Sequence, residues 1–154
     1  MATISKEISR KELIVFLLRA KGSTYAGRGP ESESSRPNSH DLHYAEGSLK
    51  YIDSYLGGKS FAGQEAVWYQ DTPIWAMNYV GRVISNDFSN DFLRQCLSLV
   101  TKEDPYRGPL HYSNGDYVYR CIVNGDFEWY HGREEILFKG EMTYECLFHG
   151  GLIE

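Results

Sequence analysis

Asp41-Leu-His-Tyr-Ala-Glu-Gly-Ser-Leu-Lys-Tyr-Ile-Asp-Ser-Tyr-Leu-Gly57 is the stretch whose reading decides the fold. Two runs rich in Tyr, Leu and Ile flank Glu46-Gly47, a tight-turn pair, so the segment predicts an antiparallel hairpin with strands at 41–46 and 49–57. Alternation along the second strand separates Ile52 and Leu56 from Tyr51, Asp53 and Tyr55. Ile52 and Leu56 are expected to face a helix. An acid between tyrosines on the other face is costly to bury unless it is paired or hydrogen-bonded, which makes Asp53 either a structural acceptor or an acceptor for a ligand's hydroxyl or amine.

Working outward, 65–71 and 74–84 read as two further strands, with Gly57-Gly58 opening a longer connection and Asp71-Thr72-Pro73 closing a hairpin. Upstream, Ser9 stands three residues before Glu12 in capping-box spacing, and Leu13, Phe16, Leu17 and Ala20 form a helical stripe that predicts a C-cap at Gly22. The pattern then recurs. A stripe at Phe92, Leu93, Cys96, Leu97 and Val100 follows Ser89 or Asn90 as N-cap, and strand-like segments follow at 110–113, 116–123, 127–138 and 141–149.

The halves also align. Leu42-His43-Tyr44, Gly47 and Tyr51 match Leu110-His111-Tyr112, Gly115 and Tyr119 at an offset of 68, five identities in ten positions. Phe61-x-Gly63-x-Glu65-x-Val67 matches Tyr130-x-Gly132-x-Glu134-x-Ile136, and Trp75, Tyr79 and Gly81 match Tyr144, Phe148 and Gly150. The fold class expected is α+β: antiparallel sheets with two short helices in one domain, 1–154. It is read as a duplicated helix-plus-four-strand unit, with pseudo-repeats 9–84 and 89–151 and a long polar loop at 22–40. Two such units would bury their sheet faces on each other or close into a barrel-like sheet, leaving a cleft at the seam.

Composition narrows the function classes. Sixteen Lys and Arg against 21 Asp and Glu leave a net charge of −5, so direct nucleic-acid binding is not expected. No apolar run is long enough to span a membrane, and the N-terminus lacks a signal-peptide core, which points to a cytoplasmic protein. Cys96, Cys121 and Cys146 form no Cys-x-x-Cys pair and are expected to be free thiols. His40-x-x-His43 would place its histidines on opposite faces of a strand, so no metal is expected, and with no phosphate-binding glycine loop or dinucleotide fingerprint no cofactor is expected either.

The candidate ligand-binding residues are Arg28, Arg36, Asp53, Tyr55, Trp75, Asn78, Arg82, Arg107 and His149. The arginines offer planar forks to a carboxylate or phosphate, with Arg28 and Arg36 carried on the 22–40 loop as a lid. Asp53, Asn78 and His149 would orient the ligand, and the aromatics would stack on a planar part. The enzymatic alternative uses His111 or His149 with Glu65, Glu134 or Glu145 as acid and base. Glu145 and His149 on one strand lie about 13 Å apart, too far to act as a pair. A protein-interaction role is the third reading, and open sheet edges would allow a homodimer.

Taken together, Arg36-Pro37-x-Ser39-x-Asp41, Tyr51-x-Asp53-Ser54-Tyr55-x-Gly57-Gly58, Phe61-x-Gly63-x-Glu65-x-Val67-Trp68, Trp75-x-Met77-Asn78-Tyr79-x-Gly81-Arg82, Pro105-Tyr106-Arg107-Gly108-Pro109 and Phe148-His149-Gly150-Gly151 give the chain a likeness to known sequences. From about Leu13 onward it resembles a bacterial domain family of unknown function that occurs alone or behind Xre-type helix-turn-helix modules. The resemblance implies no activity. It implies a sensor or effector-binding role, while the absence of a helix-turn-helix here departs from the fused form. The reading is therefore a domain that binds a small polar or anionic molecule in a cleft between two pseudo-symmetric halves.

Overall fold

Ser9 opens the first helix through the reciprocal cap that its spacing predicts. In a computed structural model describing residues 8–154, Ser9 Oγ accepts from the Glu12 N–H at 3.1 Å and Glu12 Oε2 accepts from the Ser9 N–H at 2.7 Å. The helix, α1 (Arg10–Ser23), runs through Gly22 and ends at Thr24, whose hydroxyl donates to the Ala20 carbonyl and so replaces the expected glycine cap. Then follow β1 (His40–Glu46), β2 (Leu49–Gly57), β3 (Ser60–Tyr69), β4 (Thr72–Val83), α2 (Asn90–Ser98), β5 (His111–Asn114), β6 (Tyr117–Asp126), β7 (Trp129–Phe138) and β8 (Glu141–Leu152). Ser89 caps α2, accepting from the Phe92 N–H.

The eight strands form one antiparallel sheet in the order β1-β2-β3-β4-β8-β7-β6-β5. The architecture is α+β, and the two four-stranded meanders join edge to edge through β4 and β8 rather than stacking or closing a barrel. Registers agree between the halves. Asp53 stands opposite Glu65 and Tyr51 opposite Val67, as Cys121 stands opposite Glu134 and Tyr119 opposite Ile136. Each meander also slips register at a matching point, Val67/Trp68 and Ile136/Leu137.

Both helices lie on one face of the sheet. Phe16 of α1 packs on Tyr44, and Phe92 of α2 on Tyr112 and Tyr117. Beneath them Tyr51, Val67, Trp75, Met77, Tyr119, Ile136, Tyr144, Cys146 and Phe148 form the core, and all three cysteines are buried free thiols.

This reverses the expected facing of β2. Tyr51, Asp53 and Tyr55 look toward the helices, while Ile52 and Leu56 lie on the opposite, open face, where Leu56, Val80 and Leu147 are exposed. The reason is that the tyrosines and the acid find polar partners under the helices, described below, and their rings fill more of the interior than Ile52 and Leu56 would. The connection at Gly57-Gly58 is also shorter than expected. Gly57, at φ 91°, closes a tight turn, and β3 begins already at Ser60.

Candidate functional site

Two glutamates on equivalent strand positions anchor the polar interior. In the second half Glu134 is fully buried. Its Oε1 accepts from Arg107 Nη2 at 2.6 Å and Tyr144 Oη at 2.7 Å, and its Oε2 accepts from Tyr119 Oη at 2.6 Å. Burial alone would raise its pKa, but the Arg107 charge and these donors outweigh that and hold it below the ordinary carboxylate range. In the first half Glu65 Oε1 accepts from Tyr51 Oη at 2.5 Å and from Lys21 Nζ at 2.9 Å. Lys21 also donates to the Tyr106 carbonyl at 2.7 Å, and Arg107 Nη1 lies 4.0 Å from Glu65 Oε2. The charges alternate from α1 across the sheet: Lys21, Glu65, Arg107, Glu134.

The halves then diverge. The position of Cys121 is held in the first half by Asp53, and that of Phe148 by Tyr79, whose hydroxyl donates to Asp53 Oδ1 at 2.5 Å. Gly63 makes room for this ring, since a Cβ there would come within 2.5 Å of Tyr79 Oη. Asp53 is 6% exposed, and burial, reinforced by the facing Glu65 carboxylate, pushes its pKa up to about 7 against the lowering effects of Tyr79, Arg107 and Lys21. Burial likewise raises the Tyr79 hydroxyl well above its usual value, so it stays a proton donor.

Asp53 and Tyr79 form part of the floor of a cleft of about 560 Å³ between α2 and strands β2–β4, with Arg107 and Tyr144 from the second half completing that floor. Tyr25, Tyr55, Phe61 and Phe88 wall it, with Phe61 and Phe88 each stacked on Tyr144 at ring separations of 6.1 and 5.2 Å. His40, Lys59, Asn90 and Arg94 stand at its margin. Arg94 lies over the Tyr25 ring at 4.3 Å and donates to the Tyr25 carbonyl.

The β2–β3 turn, Gly57-Gly58-Lys59, lines one side of the cleft. The matching β6–β7 turn begins at Gly125, likewise with positive φ, but carries the additional Phe127. Phe127 is buried and stacks on Trp75 at 6.0 Å, and Trp75 is the counterpart of Tyr144. One half keeps a hollow where the other places a ring.

Of the residues expected to bind a ligand, Asp53, Tyr55 and Arg107 come together here. Trp75 is core, 5.9 Å beneath Lys21 Nζ. Arg28 is exposed and ion-paired with Asp91. Arg36 lies on the open face, donating to Ser54 Oγ at 2.8 Å, because its loop is pinned around the buried Asp41, which accepts from Ser35, Ser39 and Ser54. Burial would raise the Asp41 pKa, but those serine donors hold it down to about 2. Asn78 accepts from Gln64, and Arg82 and Arg133 both bind Glu145, all on the open face with His149, while His111 is exposed on the edge strand β5. None of His111, Glu145 and His149 lines the cleft.

Sequence reasoning missed Lys21, Tyr25, Tyr79, Phe88 and Arg94 as site residues. Tyr79 had a signal: it and Asp53 differ together from the residues aligned with them in the other half, Phe148 and Cys121.

Fold and site define an α+β domain with a half-open, aromatic-walled cleft above a buried carboxyl group. The sequence profile of Domain of unknown function (DUF5680) matches residues 53–153, and the chain belongs to that family. No curated protein and no solved structure matches the chain.

Proposed function

We propose that this protein is a small-molecule-binding domain whose ligand occupies the cleft above Asp53. The observation that carries the reading is the asymmetry just described: in one half, a buried carboxyl with one tyrosine donor among the described residues faces an open aromatic hollow, while in the other a cysteine, a phenylalanine and Phe127 fill the matching places. Burying an acid at the base of a hollow costs stability, and it is offset when a ligand brings the missing partner. The two halves are read as copies of one helix-plus-four-strand unit in which only one copy kept a site. The resemblance to domains that follow helix-turn-helix modules fits an effector-sensing role for bacterial relatives of this kind.

A second reading rests on Asp53 alone. A carboxyl titrating near neutrality is poised for proton transfer, so acid–base catalysis on the bound molecule is the alternative.

A thermal-shift screen of nucleotides, sugars, amino acids and aromatic metabolites tests the proposal. A ligand at about 100 times its Kd adds roughly 2.7 kcal/mol, or about 5–11 °C in midpoint. Phe61→Trp, which fills the cleft, should erase the shift. A shift that survives this substitution would put the ligand elsewhere. Product formation from a hit, lost in Asp53→Asn, would favour the enzyme.

A further inference from the structure

Among the described residues, the interior under the helices holds two cations, Lys21 and Arg107, and three carboxyls, Asp53, Glu65 and Glu134, all buried. Lys21 is bonded to Glu65, and Arg107 to Glu134. Asp53 is left over. Its partner is a neutral hydroxyl, it faces Glu65 across the strand pair, and it alone of the three carboxyls lines the cleft between α2 and β2–β4. The surrounding rings turn their π faces to a positive charge far better than to a negative one. Resting on the cleft being a ligand site, we propose that it takes a small aromatic molecule carrying a protonated nitrogen, which pairs with Asp53 while its ring lies among Tyr55, Phe61 and Phe88.

Two cations at the margin argue the other way and are outweighed by position. Arg94 lies over the Tyr25 ring and gives its Nη1 to the Tyr25 carbonyl, leaving its buried Nε without a partner among the described residues, and Lys59 stands on an exposed turn, where solvent and salt screen it. On the floor, removed from water, Arg107 is taken up by Glu134, so Asp53 decides the sign. Binding then depends on the ionisation of Asp53. The groups that bear on it are Lys21 from α1, His40 from β1, Glu65 from β3, Tyr79 from β4, Arg94 from α2 and Arg107 from the following loop. A cationic ligand requires the carboxylate, so affinity rises as pH increases through neutrality, and at lower pH binding releases a proton.

Calorimetry on the full chain decides it, using tryptamine, phenethylamine and benzamidine against their acid counterparts indole-3-acetate, phenylpropionate and benzoate. The expected result is that at least one amine or amidine binds, its affinity falls tenfold or more in Asp53→Asn, and it weakens severalfold from pH 8 to pH 6 in the wild type only. Acids binding more tightly than amines, with Phe61→Trp still abolishing the signal, would overturn the cationic class and leave the cleft as a ligand site. Amine binding unchanged by Asp53→Asn, or no binding by any of the six, would overturn it as well, and the library screen would then judge the cleft separately.

Discussion

The two halves of this sheet are built on the same plan and differ at one corner. Each has a glutamate on its third strand, a tyrosine donating to it from the second, and a cation reaching it from outside the meander: Lys21 and Tyr51 on Glu65, Arg107 and Tyr119 on Glu134. In the second half the neighbouring positions are Cys121 and Phe148, and Phe127 seals the corner. In the first they are Asp53 and Tyr79 beneath a cleft. What repeats serves the fold. What differs, Asp53 and Tyr79 beneath an open cleft, is where the proposed ligand would sit.

The largest effect should come from the shared plan. Glu134→Ala leaves the Arg107 guanidinium buried without its carboxylate and should cost about 3–5 kcal/mol or prevent folding, as read by urea denaturation. Phe127→Ala should cost about 3–5 kcal/mol as well, by opening in the second half the hollow that the first half already has. The converse change, a phenylalanine inserted after Gly58, should close the first-half cleft with little loss of stability while abolishing the thermal shift given by any ligand. If ligand response survived that insertion, the two corners would not be equivalent.

Turn residues and alternation, both local signals, were enough to find both helices and the eight strands, and aligning the two halves set Tyr51, Glu65 and Tyr79 beside Tyr119, Glu134 and Phe148. The joining of the meanders through β4 and β8 was not legible, since an open edge carries no signature of the strand that covers it. Nor was the facing of β2. Alternation says that Ile52 and Asp53 point apart, but only the tertiary placement of Lys21, Glu65 and Arg107 makes the side with the acid the buried one. Arginines chosen from the sequence for their charge mostly found carboxylates of their own, as Arg28 did with Asp91 and Arg82 with Glu145.

Smaller effects sharpen the difference between the halves. Tyr79→Phe, which copies Phe148, removes the Tyr79 hydroxyl that donates to Asp53 and should cost about 1–3 kcal/mol. Combined with Asp53→Cys, the cost should largely disappear, because the first half then carries the second half's pair; a double-mutant cycle measures this recovery. The mildest test is pH. The Asp53 pKa is raised from an unfolded value near 4 to about 7, so the folded state binds the extra proton between these limits. Its contribution to stability is full below about pH 4, declines up to about pH 7 and is lost above. Asp53→Asn should flatten that decline, which denaturation midpoints at pH 5, 6, 7 and 8 would show.

The most direct measurement of the central claim is amide and methyl NMR of the labelled protein titrated with whichever compound stabilises it most. The account predicts shifts gathered on Tyr25, Asp53, Phe61, Tyr79, Phe88 and Leu93, with the matching corner around Cys121, Phe127 and Phe148 silent. Shifts gathered instead on the open face around Asn78, Glu145 and His149, or divided equally between the two corners, would contradict it.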